Sequence, residues 1–228
     1  MENTEFFRLF ALRLGEITIN DTVLTTWLVM ALLLATGWIG SRRLSVHAPS
    51  HLQTALEGTV QALQETIEGV APGHGIRLLP FIGTLWLFIA IANLVGLIPG
   101  FSSPTGDLSL TLALAILVFF SVHWYGIQID GLRSYLRHYL DPNPILLPFH
   151  LLGEITRTLA LAIRLFGNMM SLEMAAMLVV MVAGFLAPVP LLVLHIIEAL
   201  VQAYIFGMLA LVYIAGALQS RQIQKKEQ

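Results

Sequence analysis

Long uncharged apolar runs alternate with short polar breaks along most of this chain. A helix needs about 20 largely apolar residues to cross roughly 30 Å of hydrocarbon, and five stretches reach that scale. The first runs from Thr22 to Ile39 and stops at Arg42 and Arg43. The second runs from Ile76 to Ile98, interrupted in its interior by Asn93, and Pro99 and Gly100 open the short loop GFSSPTGD. The third covers Leu108 to Ile127, after which a polar stretch reaches the DPNP turn at Asp141 to Pro144. Two longer apolar helices follow, from about Ile145 to Phe185 and from about Val189 to Leu218. Roughly 40 residues at about 1.5 Å each make the first of these about 60 Å long. It must tilt strongly, bend, or extend beyond the bilayer.

The segment from Ser50 to Val70 has a different pattern. Leu52, Leu56, Val60, Leu63, Ile67 and Val70 recur with helical period, and Glu57, Gln61, Gln64, Glu65 and Glu68 fill the other side. That is an amphipathic helix, suited to the membrane surface or to a partner rather than to the bilayer interior. The phrase APGHG, ending at Gly75, terminates it. The pattern therefore predicts an all-α polytopic membrane protein with five transmembrane helices and one surface helix, the last two spans long and tilted. It is read as one membrane domain over residues 1–228, with an external tail (1–21), a first span (22–39), a cytoplasmic-surface helix (50–70), a helical hairpin (76–127) and two long ion-channel helices (145–218).

Composition agrees, with 57% hydrophobic and 11% charged residues, against roughly 25% charged in soluble domains. So little charge cannot cover a globular surface, and lipid must be the solvent over much of the area. A net charge of −2 without any basic run gives no sign of nucleic acid. The absence of cysteine excludes disulfides, thiol nucleophiles and zinc–thiolate sites. The N-terminal segment is mixed in charge and lacks an apolar core, so no cleavable signal is expected, and the first span is expected to do its own targeting.

Lys and Arg segregate. Arg42, Arg43, Arg77, Arg133, Arg137, Arg221, Lys225 and Lys226 fall on one side if five spans alternate and the amphipathic helix does not cross. Only Arg8 and Arg13 fall on the other. The positive-inside rule then places the N-terminus outside and the C-terminus in the cytoplasm.

Arg164 stands within LALAIRLFGNMM, Leu159 to Met170. A mid-membrane arginine costs at least about 2.5 kcal/mol, and a guanidinium cannot shed that cost by losing its proton. It must face a carboxylate, a water cavity, or both. The bland alternative is an ion pair within the chain, to Glu154 or Glu173. Helical periodicity puts Arg157, Ala160, Leu161, Arg164, Gly167, Asn168, Ser171 and Ala175 on one face, small and polar, with no carboxylate on it. Such a face admits another helix closely, and the acid is expected from another polypeptide. Glu173, nine residues on, projects to the opposite side.

On the last helix, His195, Glu198, Gln202, Phe206, Leu209 and Tyr213 lie along one side. A histidine and a carboxyl group one turn apart can relay protons; the bland alternative is a hydrogen-bonded core histidine. Two residues are too few for a zinc site. Asn93 divides between a water-lined channel and a helix–helix hydrogen bond. His47, His51, His74, His123, His138 and His150 sit near span ends, where a solvated interfacial role is expected. Gly207 and Gly216 read as packing notches. No GxxxxGK[ST] phosphate loop occurs, so no nucleotide, metal or other cofactor is expected in this chain.

The segment GEITRTLALAIRLFGNMMSLE (Gly153 to Glu173) resembles the signature of the a subunit of bacterial F-type ATP synthases. The resemblance extends to NLVGLIPG (Asn93 to Gly100), TGDLSLTLALA (Thr105 to Ala115) and VQAYIFGMLALVYIAGAL (Val201 to Leu218). It implies that Arg164 is the stator arginine and Gln202 its neighbour on the last helix. It also implies that Glu173 and His195 line an aqueous half-channel, with Asn168 and Asn93 near the ion paths. The chain departs from the pattern in three places. Ser171-Leu172 replaces a small Ala-Gly pair, His195 stands where many relatives carry Glu, and Glu198 is not a usual family residue.

The implied function is a non-catalytic ion channel in the stator of a rotary ATP synthase, in the bacterial inner membrane. Its partners would be a ring of c subunits, b-type peripheral stalk subunits, the F1 catalytic sector and the lipid bilayer. Protons are the expected ion and sodium the alternative. A secondary transporter would call for inverted repeats and paired helix breaks, and the chain shows neither. An intramembrane enzyme built on His195 and Glu198 lacks a nucleophile or a metal set.

Overall fold

A computed structural model of the protein describes residues 13–14, 17–18, 21–42, 45, 50–98, 101, 103–131, 147–183 and 189–226. The DPNP turn with Arg133, Arg137 and His138, the residues Arg43, His47, Pro99, Gly100 and Phe185, and Arg8 of the tail lie outside them. Among the described residues six helices make the architecture: α1 (Asp21–Arg42), α2 (His51–Val70), α3 (Gly75–Val95), α4 (Leu108–Asp130), α5 (Leu147–Ala183) and α6 (Val189–Lys226). A short 3₁₀ turn, Pro104–Gly106, lies between α3 and α4. To this all-α fold is added a minimal antiparallel pair, β1 (Arg13–Leu14) with β2 (Ile17–Thr18), in register Arg13↔Thr18 and Leu14↔Ile17. Five of the helices, all but α2, are long and apolar enough to cross a membrane. The protein is an all-α polytopic membrane protein.

Lipid tails are as apolar as leucine, so packing and hydrogen bonds rather than water exclusion hold such helices together. The core lies where α3 and α6 meet. Ile82, Trp86, Ile89 and Ala92 of α3 are buried with Ala203, Phe206, Ala210 and Ile214 of α6. Trp86 and Tyr204 stack with ring centroids 6.0 Å apart, and the indole Nε1 donates to the Tyr204 carbonyl at 3.1 Å. Gly207 makes this approach possible, because a Cβ there would overlap the Trp86 indole. Gly207 is thus a packing notch as expected, whereas a Cβ on Gly216 would meet nothing within 4 Å.

The amphipathic stripe of α2 is used over half its length. Ile67 is fully buried and Leu63 and Val70 pack beside it, while Leu52, Leu56 and Val60 remain exposed. Glu68 closes the turn into α3, its carboxylate accepting from the backbone N–H groups of Gly73 and Gly75.

Two sets of contacts show which helix ends lie together. At one end Thr22 Oγ1, opening α1, donates to Asp107 Oδ2 at 3.1 Å. Asp107 in turn caps α4, accepting from Ser109 N at 2.8 Å and Ser109 Oγ at 2.7 Å. Those donations hold the Asp107 carboxyl below its ordinary value of 3.8, against a smaller opposing effect of burial. At the other end Arg77 of α3 lies within electrostatic reach of Tyr125 of α4. There His123 of α4 pairs with Glu154 of α5, Nε2 to Oε2, at 3.4 Å.

Candidate ion-translocation site

α5 contains 37 residues and α6 contains 38, about 55 Å of helix each at about 1.5 Å per residue. Both exceed the roughly 30 Å of hydrocarbon, and they carry nearly all the chain's mid-span polar groups. Their coverage differs sharply. Half of the membrane-length window of α6 is buried within the chain, but only 11% of that of α5. A long side of α5 therefore faces away from the chain's other helices, and Arg164 is on the exposed part of it.

Among the described residues Arg164 pairs with no carboxylate. The two internal acids that could have neutralised it are engaged elsewhere. Glu154 faces His123, and Glu173 Oε1 accepts from the Ser103 backbone N–H at 3.1 Å. Arg157 is also exposed, its guanidinium lying over the Tyr213 ring of α6 at 4.9 Å from the centroid. Leu161 departs from the predicted face. It is 2% exposed and turned inward, so the arginine face consists of Arg157, Ala160, Arg164 and Ser171. The approximation of one flat stripe ignores how a helix rotates against two neighbours at once.

Next to this face, α5 and α6 are joined by a polar contact. Asn168 Nδ2 donates to Gln202 Oε1 at 2.7 Å. Gln202 is buried, and its Nε2 has no hydrogen-bond partner among the described residues; the same holds for Nε2 of buried His195. An unpaired buried polar atom costs about 1–3 kcal/mol, and two on one helix face suit a water-bearing or ligand-bearing path. Glu198, one turn after His195, is half-buried.

Glu173 sits at the Thr22–Asp107 end. Its carboxylate rests against the 3₁₀ turn, close enough that a Cβ on Gly106 would lie 3.2 Å from Oε2. His195 lies within its electrostatic reach. From the same turn a buried hydrogen-bond chain runs to α6. Ser103 Oγ donates to the Ala92 carbonyl at 3.1 Å and lies 2.7 Å from Thr105 Oγ1. Thr105 Oγ1 donates to Asn93 Oδ1 at 2.6 Å, and Asn93 Nδ2 donates to the Ala199 carbonyl at 3.1 Å. Asn93 is therefore a helix–helix hydrogen-bonding residue, fully buried.

The structure thus joins Asn168 to Gln202, sets Glu173 near His195, and leaves Arg164 apart on the outer face. A protein-family model described as "ATP synthase A chain" matches residues 23–215. The chain belongs to the ATP synthase A chain family. It is 63% identical over 212 residues to "ATP synthase subunit a 2" of Pelobacter propionicus, covering 93% of this chain and 92% of that one. It is 60% identical over 208 residues to "ATP synthase subunit a 1" of Hahella chejuensis, covering 91% and 88%. It is 52% identical over 221 residues to "ATP synthase subunit a" of Legionella pneumophila, covering 97% and 96%.

As a member of that family, the chain is a membrane subunit of an ATP synthase, serving ATP synthesis and ion transport. Sequence reasoning missed Ser103 and Thr105 as partners of the family's membrane helices. A Ser-x-Thr beside a proline in a loop between spans was the only local sign. It also missed the His123–Glu154 pair, since His123 was expected at a solvated interface. It is partly exposed and pairs with Glu154 of the neighbouring helix α5.

Proposed function

We propose that this chain is the proton channel of the stator, supplying two half-channels to carboxyl groups on a rotor ring of c subunits. The reading rests on Arg164, a permanent cation on the uncovered side of a membrane helix with no acid opposite it among the described residues. A carboxylate on a passing ring helix would complete the pair. The Arg164 field favours ionisation of that acid as it arrives. The bilayer supplies the direction, because only the neutral acid can leave the stator cheaply and travel through lipid.

Glu173 and His195 form the outer half-channel, and Asn168 and Gln202 hold polar ground beside Arg164. Each charge moved across 100 mV releases about 2.3 kcal/mol, so several transfers drive one ATP. The N-terminus lies outside and the C-terminus in the cytoplasm. The b-type stalk subunits and the F1 sector complete the machine, in the bacterial plasma membrane. Titratable Glu173 and His195 on the path favour protons over sodium.

Arg164→Ala is the test, read in membrane vesicles holding the whole complex. ATP-driven proton uptake should vanish while ATP hydrolysis by the peripheral sector continues. Uptake coupled as in the wild type would overturn the assignment.

A further inference from the structure

Arg164 is bracketed along α5 by two glutamates, and each has a histidine from another helix beside it. Glu173 lies nine residues after it, about 14 Å along the axis, with His195 of α6 in electrostatic reach. Glu154 lies ten residues before it, about 15 Å in the other direction, facing His123 of α4 at 3.4 Å. The proposed outer half-channel uses the first pair. Nothing so far uses the second.

The second pair is built to hold a proton. His123 Nδ1 lies 2.9 Å from the Phe119 carbonyl oxygen. A carbonyl only accepts, so Nδ1 carries the hydrogen of the neutral ring and the lone pair falls on Nε2. Nε2 lies 3.4 Å from Glu154 Oε2. A carboxylate oxygen and a ring nitrogen at that separation can each take up a proton, and one can pass it to the other. The two side chains are 26% and 24% exposed, while Glu154 Oε2 itself is buried, so the pair reaches solvent by one edge and holds that oxygen away from it. Around the pair, among the described side chains, stand Arg157 one turn further along α5, Tyr213 of α6 beneath it, and at the same end Tyr125 of α4 with Arg77 of α3.

We propose that Glu154 and His123 form a second proton-transfer station, serving the half-channel on the opposite side of Arg164 from Glu173 and His195. This rests on the channel reading above. A proton leaving the Arg164 region forms an O–H bond at Glu154 Oε2. That bond breaks as an N–H bond forms at His123 Nε2, and release to cytoplasmic water restores the neutral ring and the carboxylate. The reverse sequence serves ATP-driven pumping. No other reactant is consumed.

The experiment measures proton flux through the whole complex in vesicles, driven by ATP and by an imposed potential. Glu154→Gln keeps a polar partner for His123 but cannot carry a proton, and should lower flux by about a hundredfold, the low end of what positioned acid–base groups contribute. Glu154→Asp should restore most of the flux. His123→Gln should alter how the rate depends on pH at the cytoplasmic face, a change that a purely structural contact would not produce. Wild-type flux and pH dependence in Glu154→Gln overturn the proposal. If that variant does not assemble, an unchanged pH profile in both Glu154→Asp and His123→Gln overturns it instead. Arg164→Ala, run alongside, separates the two readings. Coupled pumping there removes the channel assignment itself, whereas its loss there beside wild-type Glu154→Gln removes the second station alone.

Discussion

A guanidinium and a carboxyl group behave oppositely in a membrane. The first stays charged and must find company; the second can escape the cost by taking up a proton. That contrast divides the charged residues of α5 into two fixed cations, Arg157 and Arg164, and two exchangeable acids, Glu154 and Glu173. In the proposed channel, removing an exchangeable acid would leave the separator between half-channels intact and only starve one path. Glu173→Ala and His195→Ala should therefore each slow ATP-driven proton uptake without the complete uncoupling expected of Arg164→Ala. Wild-type uptake in both would remove them from the path. Most of these residues were legible in the sequence, since charge within an apolar run is conspicuous at any position. Their pairings were not. Helical periodicity already turned Glu173 away from Arg164, but only the folded chain shows the two acids engaged with His123 and Ser103.

At the scale of elements, helices were read from uninterrupted apolar length, and the five spans and the amphipathic α2 came through because each pattern is local. The turn between α3 and α4 was legible only as a loop. Its packing depends on contacts with α1 and α5, far away in sequence. Gly96 lets it fold back, since a Cβ there would stand 2.8 Å from the Ser103 Cβ. Asp107 fixes its end, joining the start of α4 to Thr22 of α1. Replacing a capping Asp by Ala costs about 1 kcal/mol, and Asp107→Ala should lower the thermal stability of the complex accordingly. The pH dependence has a definite sign. A carboxyl depressed on folding stabilises fully above its ordinary value of 3.8, and that contribution fades as pH falls through the lower folded value. Acid melting of wild type and Asp107→Ala should therefore converge in that range. A constant gap down to full protonation would show that Asp107 acts through shape alone.

For the whole molecule, the contacts Thr22–Asp107 and His123–Glu154 sort the helix ends into two sets, and the proposed orientation puts the first set outside and the second in the cytoplasm. The chain contains no cysteine, so single introduced thiols report without background. Ser109→Cys should react with a membrane-impermeant maleimide from outside. Gly58→Cys, on open α2 where a Cβ meets nothing within 4 Å, should react only from the cytoplasmic face. The opposite labelling pattern would invert the topology. What the sequence could least convey at this scale was uneven coverage. Composition describes α1, α3 and α5 alike as apolar, yet α3 is the buried axis of the bundle while α1 and α5 are left largely bare.

That bareness bears on the lifetime of the newly made chain. Lipid can bathe the methionines and leucines along α5, but it offers nothing to the guanidinium among them. A copy inserted before its neighbours arrive therefore carries a defect that only company repairs. Cells making this polypeptide in excess of its partners should lose the surplus to degradation.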